Sequence, residues 1–431
     1  MQESQLITLL KQEVKPGLGC TEPAAVALAA AHAALFLGGK IEKADIIVSS
    51  NIYKNAYAVT IPNTQEKGLK IASALGLLLR NPQKELEIFE DVKPEDVVKA
   101  KHLISNEKIQ VTVQQLDDFY IETRIEGEKG WAKVVLSGGH TDLVKAVVNN
   151  EVVFSKNDFQ ASKRPKEFDL TAYTIRGLVE FIEKIPLDEI LFLENGIKMN
   201  LQISAKGLEL KSGLAVGSGL QAMLKKGVLQ NDLVNKARIA VAGACDARMA
   251  GLNMPVMTSM GSGNHGLEAS IPLIIVGKEI RAPKEKVLRA LALSHLVTAF
   301  VKQHTGKLSP ICGCSVAAGA GATAGIAWLM GGSLIQVEGA IKNVIGNLSG
   351  LICDGAKGGC ALKLATSAAE SVIAAQLALN NIIIQDSDGI ISTTVEDTIR
   401  NLGKISSSGM ANIDSTILEI ILNKGSKENA Y

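Results

Sequence analysis

Four of the six cysteines fall between residues 312 and 360, and their spacing is the strongest chemical signal in the chain. Cys312-Gly-Cys314 precedes an Ala/Gly-rich stretch, and Cys353-Asp-Gly-Ala-Lys-Gly-Gly-Cys360 follows it. Ser309-Pro310 should cap and start a helix, which puts Cys312 and Cys314 in its first turn, where a thiol ionises more easily. Cys353 should end a helix and Cys360 begin the next, across a Gly-rich turn. The gap between Cys312 and Cys353 holds one helix out and one helix back. Three loop-borne thiolates can then converge at one end of a helical bundle. That suits an iron–sulfur cluster with one iron free of protein thiolate. It suits zinc less well, because structural zinc usually draws on CxxC pairs. The remaining reading is four buried core cysteines.

A second signal is Pro16-Gly17-Leu18-Gly19-Cys20-Thr21-Glu22-Pro23. Thr21 caps a helix whose first turn takes Glu22 and Pro23, and the helix stops at Gly38-Gly39. Cys20 at its mouth is a candidate base or nucleophile with an eased ionisation, beside free N–H groups that suit a carboxylate. An αL turn with an inert thiol is the alternative.

A third is Met257-Thr258-Ser259-Met260-Gly261-Ser262-Gly263-Asn264-His265-Gly266. Its formal GxGxxG is not a dinucleotide fingerprint, because the surroundings read as helical rather than as a βαβ unit. The loop offers N–H groups, Ser262, Gly263, Asn264 and His265 to a carboxylate or amino group, or is only a turn between helices. His32 and His295 lie in apolar helices and read as core. His140 and His304 lie in turn-like contexts. Lys357, in the Asp354–Cys360 turn, is placed to pair with a substrate carboxylate; no motif supports a pyridoxal phosphate role for it.

The elements that must position these residues form an α+β protein. Residues 1–40 read as two helices. Residues 41–160 mix helices (GLKIASALGLLLR, PEDVVKAKHLI) with strands (DIIVSS, AYAVTI, IQVTV, FYIETRI, WAKVVL, EVVF). Residues 155–169 are a polar linker. Residues 161–431 read almost wholly as helix and form the catalytic part.

Composition excludes several functions. The 431 residues carry 45 Lys+Arg against 44 Asp+Glu, a formal charge of +1. Without a basic cluster, and with only two Trp, five Tyr and nine Phe, no nucleic-acid partner is expected. The mean hydropathy is +0.19. Leu308 to Val337 carries no charge over 30 residues, but 12 of them are Ala or Gly. We read it as a buried core helix rather than a membrane span. The charged amphipathic opening is not a signal peptide, so a cytoplasmic protein with reduced thiols is expected. The Ala/Gly-rich helices, taken as surface helices, suggest a homo-oligomer.

Taken together, PGLGCTEPAA, MTSMGSGNHG, ICGCSVAAGAGA and ICDGAKGGCALK resemble the L-cysteine desulfidase family, which is related to the alpha chain of iron–sulfur L-serine dehydratases. The resemblance runs from residue 16 to Gly409-Met410-Ala411-Asn412. It implies an oxygen-sensitive [4Fe–4S] cluster rather than pyridoxal phosphate, held by three cysteines, with substrate on the open iron. Cys353 and Cys360 would be ligands. The third is Cys312 by the spacing in serine dehydratases, or Cys314 by alignment of the following CSVAAG. Cys20 matches the base of the desulfidases, Thr21 falls in the same motif, and Ser262–Asn264 match a substrate-contacting loop of the dehydratases. This sequence lacks the GPSSSHT loop of serine dehydratases, with Gly17-Leu-Gly-Cys-Thr-Glu in its place, and has no cysteine after Cys360. Both departures point to β-elimination of L-cysteine to pyruvate, ammonia and hydrogen sulfide. The rivals are an iron–sulfur L-serine dehydratase, a membrane transporter built on Leu308–Val337, and a non-catalytic sulfur or redox sensor.

Overall fold

The computed structural model describes residues 2–116, 119–156, 169–306 and 308–428. Helix α1 (Gln2–Glu13) leads through a two-residue strand, β1 (Pro16–Gly17), into α2 (Thr21–Leu37). Then come β2 (Ile41–Ser49), α3 (Ser50–Ala56), α4 (Leu69–Leu79) and α5 (Pro94–Ser105). Five strands follow: β3 (Ile109–Gln114), β4 (Tyr120–Gly127), β5 (Gly130–Ser137), β6 (Leu143–Val148) and β7 (Glu151–Ser155).

The rest is helical: α6 (Ile175–Lys184), α7 (Leu187–Ile190), α8 (Leu193–Leu210), α9 (Val216–Lys225) and α10 (Leu233–Met249). A second two-residue strand, β8 (Val256–Met257), precedes α11 (Gly263–Glu279) and α12 (Lys284–Thr305). The chain continues through α13 (Ala317–Leu329), α14 (Leu334–Leu348), α15 (Cys360–Leu379), α16 (Val395–Lys404) and α17 (Ile413–Glu428).

The architecture is the expected α+β arrangement, a helical mass with a smaller sheet-bearing unit. The six-stranded sheet runs β3-β2-β4-β5-β6-β7, with β2–β3 parallel and the other pairs antiparallel. In β4, Ile121, Thr123 and Ile125 point into the core while Arg124 and Glu126 point out, the period of two of a half-buried strand. Helix α2 lies in the core of this sheet with α4. Its alanines permit close approach: a Cβ on Gly76 of α4 would stand 2.2 Å from the Ala27 carbonyl oxygen. Helix α1 instead adds Leu6 and Leu10 to the helical core.

Helix α13 is the centre of that core, with 12 of its 13 residues buried. A Cβ on its Gly321 would meet Thr298 Oγ1 of α12 at 2.2 Å. The charge-free run is therefore internal packing. At about 1.5 Å per residue α13 is too short for a bilayer, and no described helix is long and apolar enough to cross one. The burial of α2 and α13 also removes the premise of Ala/Gly-rich surface helices offered to a second copy.

Local expectations fail where tertiary partners decide. AYAVTI forms no strand; Thr60 makes only an isolated bridge to Lys67. Strand β6 and helix α8 have no counterpart in the sequence reading, α8 because its pattern is largely polar with few buried positions. Of the 155–169 linker, residues 157–168 lie outside the described residues.

Candidate active site

Short backbone pairings bring the three motifs together. Strands β1 and β8 pair antiparallel, Pro16 with Met257 and Gly17 with Val256. Thr258 locks the junction, its N–H donating to the Lys15 carbonyl at 2.9 Å and its Oγ1 at 2.8 Å. Gly19 needs to be glycine: its φ is +69° and a Cβ would lie 2.5 Å from Pro62. The chain then turns into α2, with Cys20 as N-cap, one residue before the expected Thr21. Thr21 Oγ1 donates instead to Glu22 at 3.2 Å. The surroundings of the glycine loop are thus not wholly helical, since β8 precedes it. That strand belongs to a two-stranded ribbon, so the rejection of a dinucleotide site stands.

The second pairing joins Ile311 to Ile352. The Cys312 N–H donates to the Leu351 carbonyl at 2.7 Å, and the Cys353 N–H to that of Pro310 at 2.6 Å. This extended contact delays the helix expected from Ser309-Pro310. Helix α13 starts at Ala317, so Cys312 and Cys314 lie in the turn before it rather than in its first turn. Cys353 likewise lies past the end of α14, while Cys360 opens α15 as expected.

The result is a cleft of about 720 Å³, counted with its open mouth. Cys20, Cys312, Cys314, Cys353 and Cys360 all line it, with Ser262 and Asn264 of the glycine loop. All six cysteines are free thiols. Three expected residues stand off the wall. Thr21 is engaged with Glu22, Gly263 packs beneath Arg248, and Lys357 pairs with Asp354 at 2.5 Å. Of the histidines, His140 reaches the cleft from the β5–β6 turn, whereas His304 belongs to α12 and packs against Phe300 with the two rings tilted. His295 is buried as expected, with Nδ1 3.0 Å from Ser259 Oγ, and His32 is only half-buried against Phe36.

A family model described as serine dehydratase alpha chain matches residues 83–419. The chain belongs to that family. Its relatives include a UPF0597 protein of Clostridium botulinum (strain Hall), 44% identical over 96% of this chain and 96% of the relative. A UPF0597 protein of Alkaliphilus oremlandii is 43% identical over 96% of this chain and 97% of its own length. One from Clostridium tetani is 42% identical over 98% and 99%.

In this member of the serine dehydratase alpha chain family, buried ionic groups dominate the cleft. Cys20 Sγ–H donates to Glu22 Oε2 at 3.1 Å, and Asn55 Nδ2 holds the other carboxylate oxygen at 3.1 Å. Burial and the Glu22 charge push the Cys20 thiol well up, with Arg248 a smaller opposing influence. This reverses the eased ionisation expected of a thiol at a helix mouth. Burial also pushes Glu22 up, but His140, 3.9 Å away, and the Cys20 thiol outweigh it and bring the carboxyl down to about 2. Cys314 donates to Cys312, holding the Cys312 thiol down against burial and the Cys314 thiol up.

Two cations and a histidine escaped the sequence reading or were undervalued by it. Lys302 of α12 is 2% exposed, bonded to Ser309 Oγ at 3.3 Å. Burial lowers it to about 8, against the pull of Cys353, Cys314 and Cys312. A Cβ on Gly313 would meet His265 Nε2 at 2.6 Å and Lys302 Nζ at 3.1 Å, so both stand over the Cys312-Gly-Cys314 turn. Burial, then Lys302, lowers His265 to about 3. The neutral ring's Nδ1 lies 3.3 Å from the Ser259 carbonyl. Arg248 of α10 is 3% exposed. The signal for both cations was a lone charge on an otherwise apolar helix face, Lys302 two turns after His295.

Proposed function

We propose that the chain is a β-eliminating lyase that converts L-cysteine to pyruvate, ammonia and hydrogen sulfide, with a [4Fe–4S] cluster and no pyridoxal phosphate. The observation that carries this reading is the meeting of Cys20 with Cys312, Cys314, Cys353 and Cys360 along one cleft. The donor set fits such a cluster: free thiols, with Lys302 and Lys363 lending positive charge beside them. Structural zinc usually draws on CxxC pairs, and this sequence has none. Cys353, Cys360 and one of Cys312 and Cys314 would hold the cluster. When bound it supplies an iron free of protein thiolate, a Lewis acid and sulfur acceptor for the leaving group.

The chain's own residues handle the proton. Cys20 is the base for the substrate Cα–H. Its resting thiol must first lose its proton, and Glu22 Oε2, at 3.1 Å, lies on the way out. The thiolate then takes the Cα proton as the Cβ–S bond breaks and a Cα=Cβ bond forms. Tautomerisation of the released aminoacrylate and addition of water give ammonia and pyruvate. Ser262, Asn264 and the open amides of the glycine loop border the substrate; Lys357 is tied to Asp354. In this proposal residues 161–431 carry the cluster and 1–40 carry Cys20. Residues 41–160 wall the cleft through Asn55 and His140, and the setting is cytoplasmic.

The second reading is L-serine dehydration, favoured by the description of the family model. Anaerobic assay of pyruvate from L-cysteine and L-serine, side by side, decides between them. A higher kcat/KM for cysteine supports the proposal. A higher kcat/KM for serine transfers the cleft to serine dehydration.

A further inference from the structure

Arg248 is a buried charge of the cleft with no carboxylate beside it among the described residues. It is 3% exposed, and its Nη1 donates to Asn264 Oδ1 at 2.9 Å. Its Nε is buried without a partner, and no ion pair joins it to a carboxylate among the described residues. Removing a guanidinium from water is strongly unfavourable unless an anion answers it. The thiols whose ionisation Arg248 influences, Cys20 and Cys245, do not answer it at rest, because burial pushes both well above the ordinary thiol value and keeps them protonated.

The same spot receives the start of α11, a 17-residue helix. Ser262 is its N-cap and makes no side-chain cap bond. The first N–H to bond back is that of Gly266, to the Ser262 carbonyl, so the amides of Gly263, Asn264 and His265 are open. Gly263 lets the cation and the helix end come together. A Cβ there would stand 2.3 Å from Arg248 Nε and 2.7 Å from Cζ. The guanidinium therefore lies against the Gly263 backbone, with the positive end of the helix dipole beside it.

We propose that Arg248 and the N-terminus of α11 form the subsite for the α-carboxylate of the amino-acid substrate, and that this subsite restricts the protein to free amino acids. The inference rests on the lyase reading for its substrate class. A planar guanidinium with open N–H groups and a row of amides matches a carboxylate in geometry as well as charge. Amides and esters of the same amino acid leave the cation unanswered.

The test uses L-alanine, which has no β-leaving group, and L-alaninamide, which has no carboxylate. Equilibrium dialysis against the anaerobically reconstituted protein should show L-alanine binding roughly 10- to 100-fold tighter, the range for a charge-assisted hydrogen bond. Arg248→Gln should abolish the preference and Arg248→Lys keep part of it. Gly263→Ala, whose methyl displaces the guanidinium, should weaken it with the arginine intact. Equal binding of acid and amide by the unsubstituted protein overturns the inference, whatever the variants do. A folded Arg248→Gln protein that still prefers the acid by the same ratio also overturns it. Preference for the acid without pyruvate from cysteine or serine would uphold the subsite and refute the lyase reading.

Discussion

Cys20 and Glu22 are the pair on which the proton chemistry turns. Replacing Cys20 by Ser should lower kcat/KM by about 10²- to 10⁴-fold, the usual worth of a general base. The visible absorbance of the cluster should be retained, which an ordinary ligand substitution would not allow. The active form of Cys20 is deprotonated, and burial with the Glu22 charge raises its ionisation above the ordinary thiol value. Activity should therefore climb with pH through the alkaline range. Glu22→Gln, which removes the repelling charge, should move that limb to lower pH; an unmoved limb would detach Cys20 from it. Cys20 was legible from the glycines before it and the helix after it. The direction of its ionisation was not, because the burial that raises it comes only with the fold.

At the level of elements, two short pairings do most of the positioning: β1 with β8, and Ile311 with Ile352. Sequence pattern showed the helices on either side but not these contacts, which are too short to have a periodicity. The charge-free Ala/Gly run was legible as a buried core helix, and the partners its glycines pack against were not. Gly321→Ala and Gly76→Ala should each destabilise the protein by about 1–3 kcal/mol in urea unfolding, the range for overpacking, since each Cβ would stand 2.2 Å from an oxygen. Helix α17 is fastened by Lys54, whose buried ammonium pairs with Asp414 at 2.5 Å and bonds the Cys353 carbonyl at 3.2 Å. Asp414→Asn leaves that charge unanswered, a change worth about 3–5 kcal/mol for a buried pair. It should raise amide exchange in α17 and around Cys353 first.

On the scale of the whole molecule, the sheet core and the helical core are separate clusters, and a smaller third one packs Cys20 and Val59 against α8, α10, α11 and α15. The cleft takes Asn55 and His140 from the sheet-bearing part of the chain and Arg248 and Lys302 from the helical part. The α+β class followed from the change of periodicity after residue 40 and again after residue 160. The cleft did not, because its buried cations sit on helices that otherwise read as plain core. Burial keeps His265 and His295 neutral, with ionisations at about 3 and about 4. In the unfolded chain they titrate at about 6.5. Between these limits the unfolded state binds more protons at these two rings, so their contribution to stability rises with pH, while Asp246, raised to about 6 by burial, and Glu268, also raised by burial, contribute in the opposite sense. The rings themselves are the cleaner readout: histidine NMR resonances of the metal-free protein should show two imidazoles still neutral at about pH 5. Titration of every ring near about 6.5 would contradict their burial.

The central claim is that the converging cysteines hold a cluster beside Cys20 and that this pair eliminates sulfide. The most direct measurement is anaerobic reconstitution with iron and sulfide, desalting, and assay of sulfide and pyruvate from L-cysteine on the same sample. The account predicts a brown protein that releases the two products in equal amounts. It also predicts loss of colour and turnover together in Cys353→Ser and Cys360→Ser. A colourless protein without turnover, or a brown one that binds cysteine and releases nothing, would contradict it.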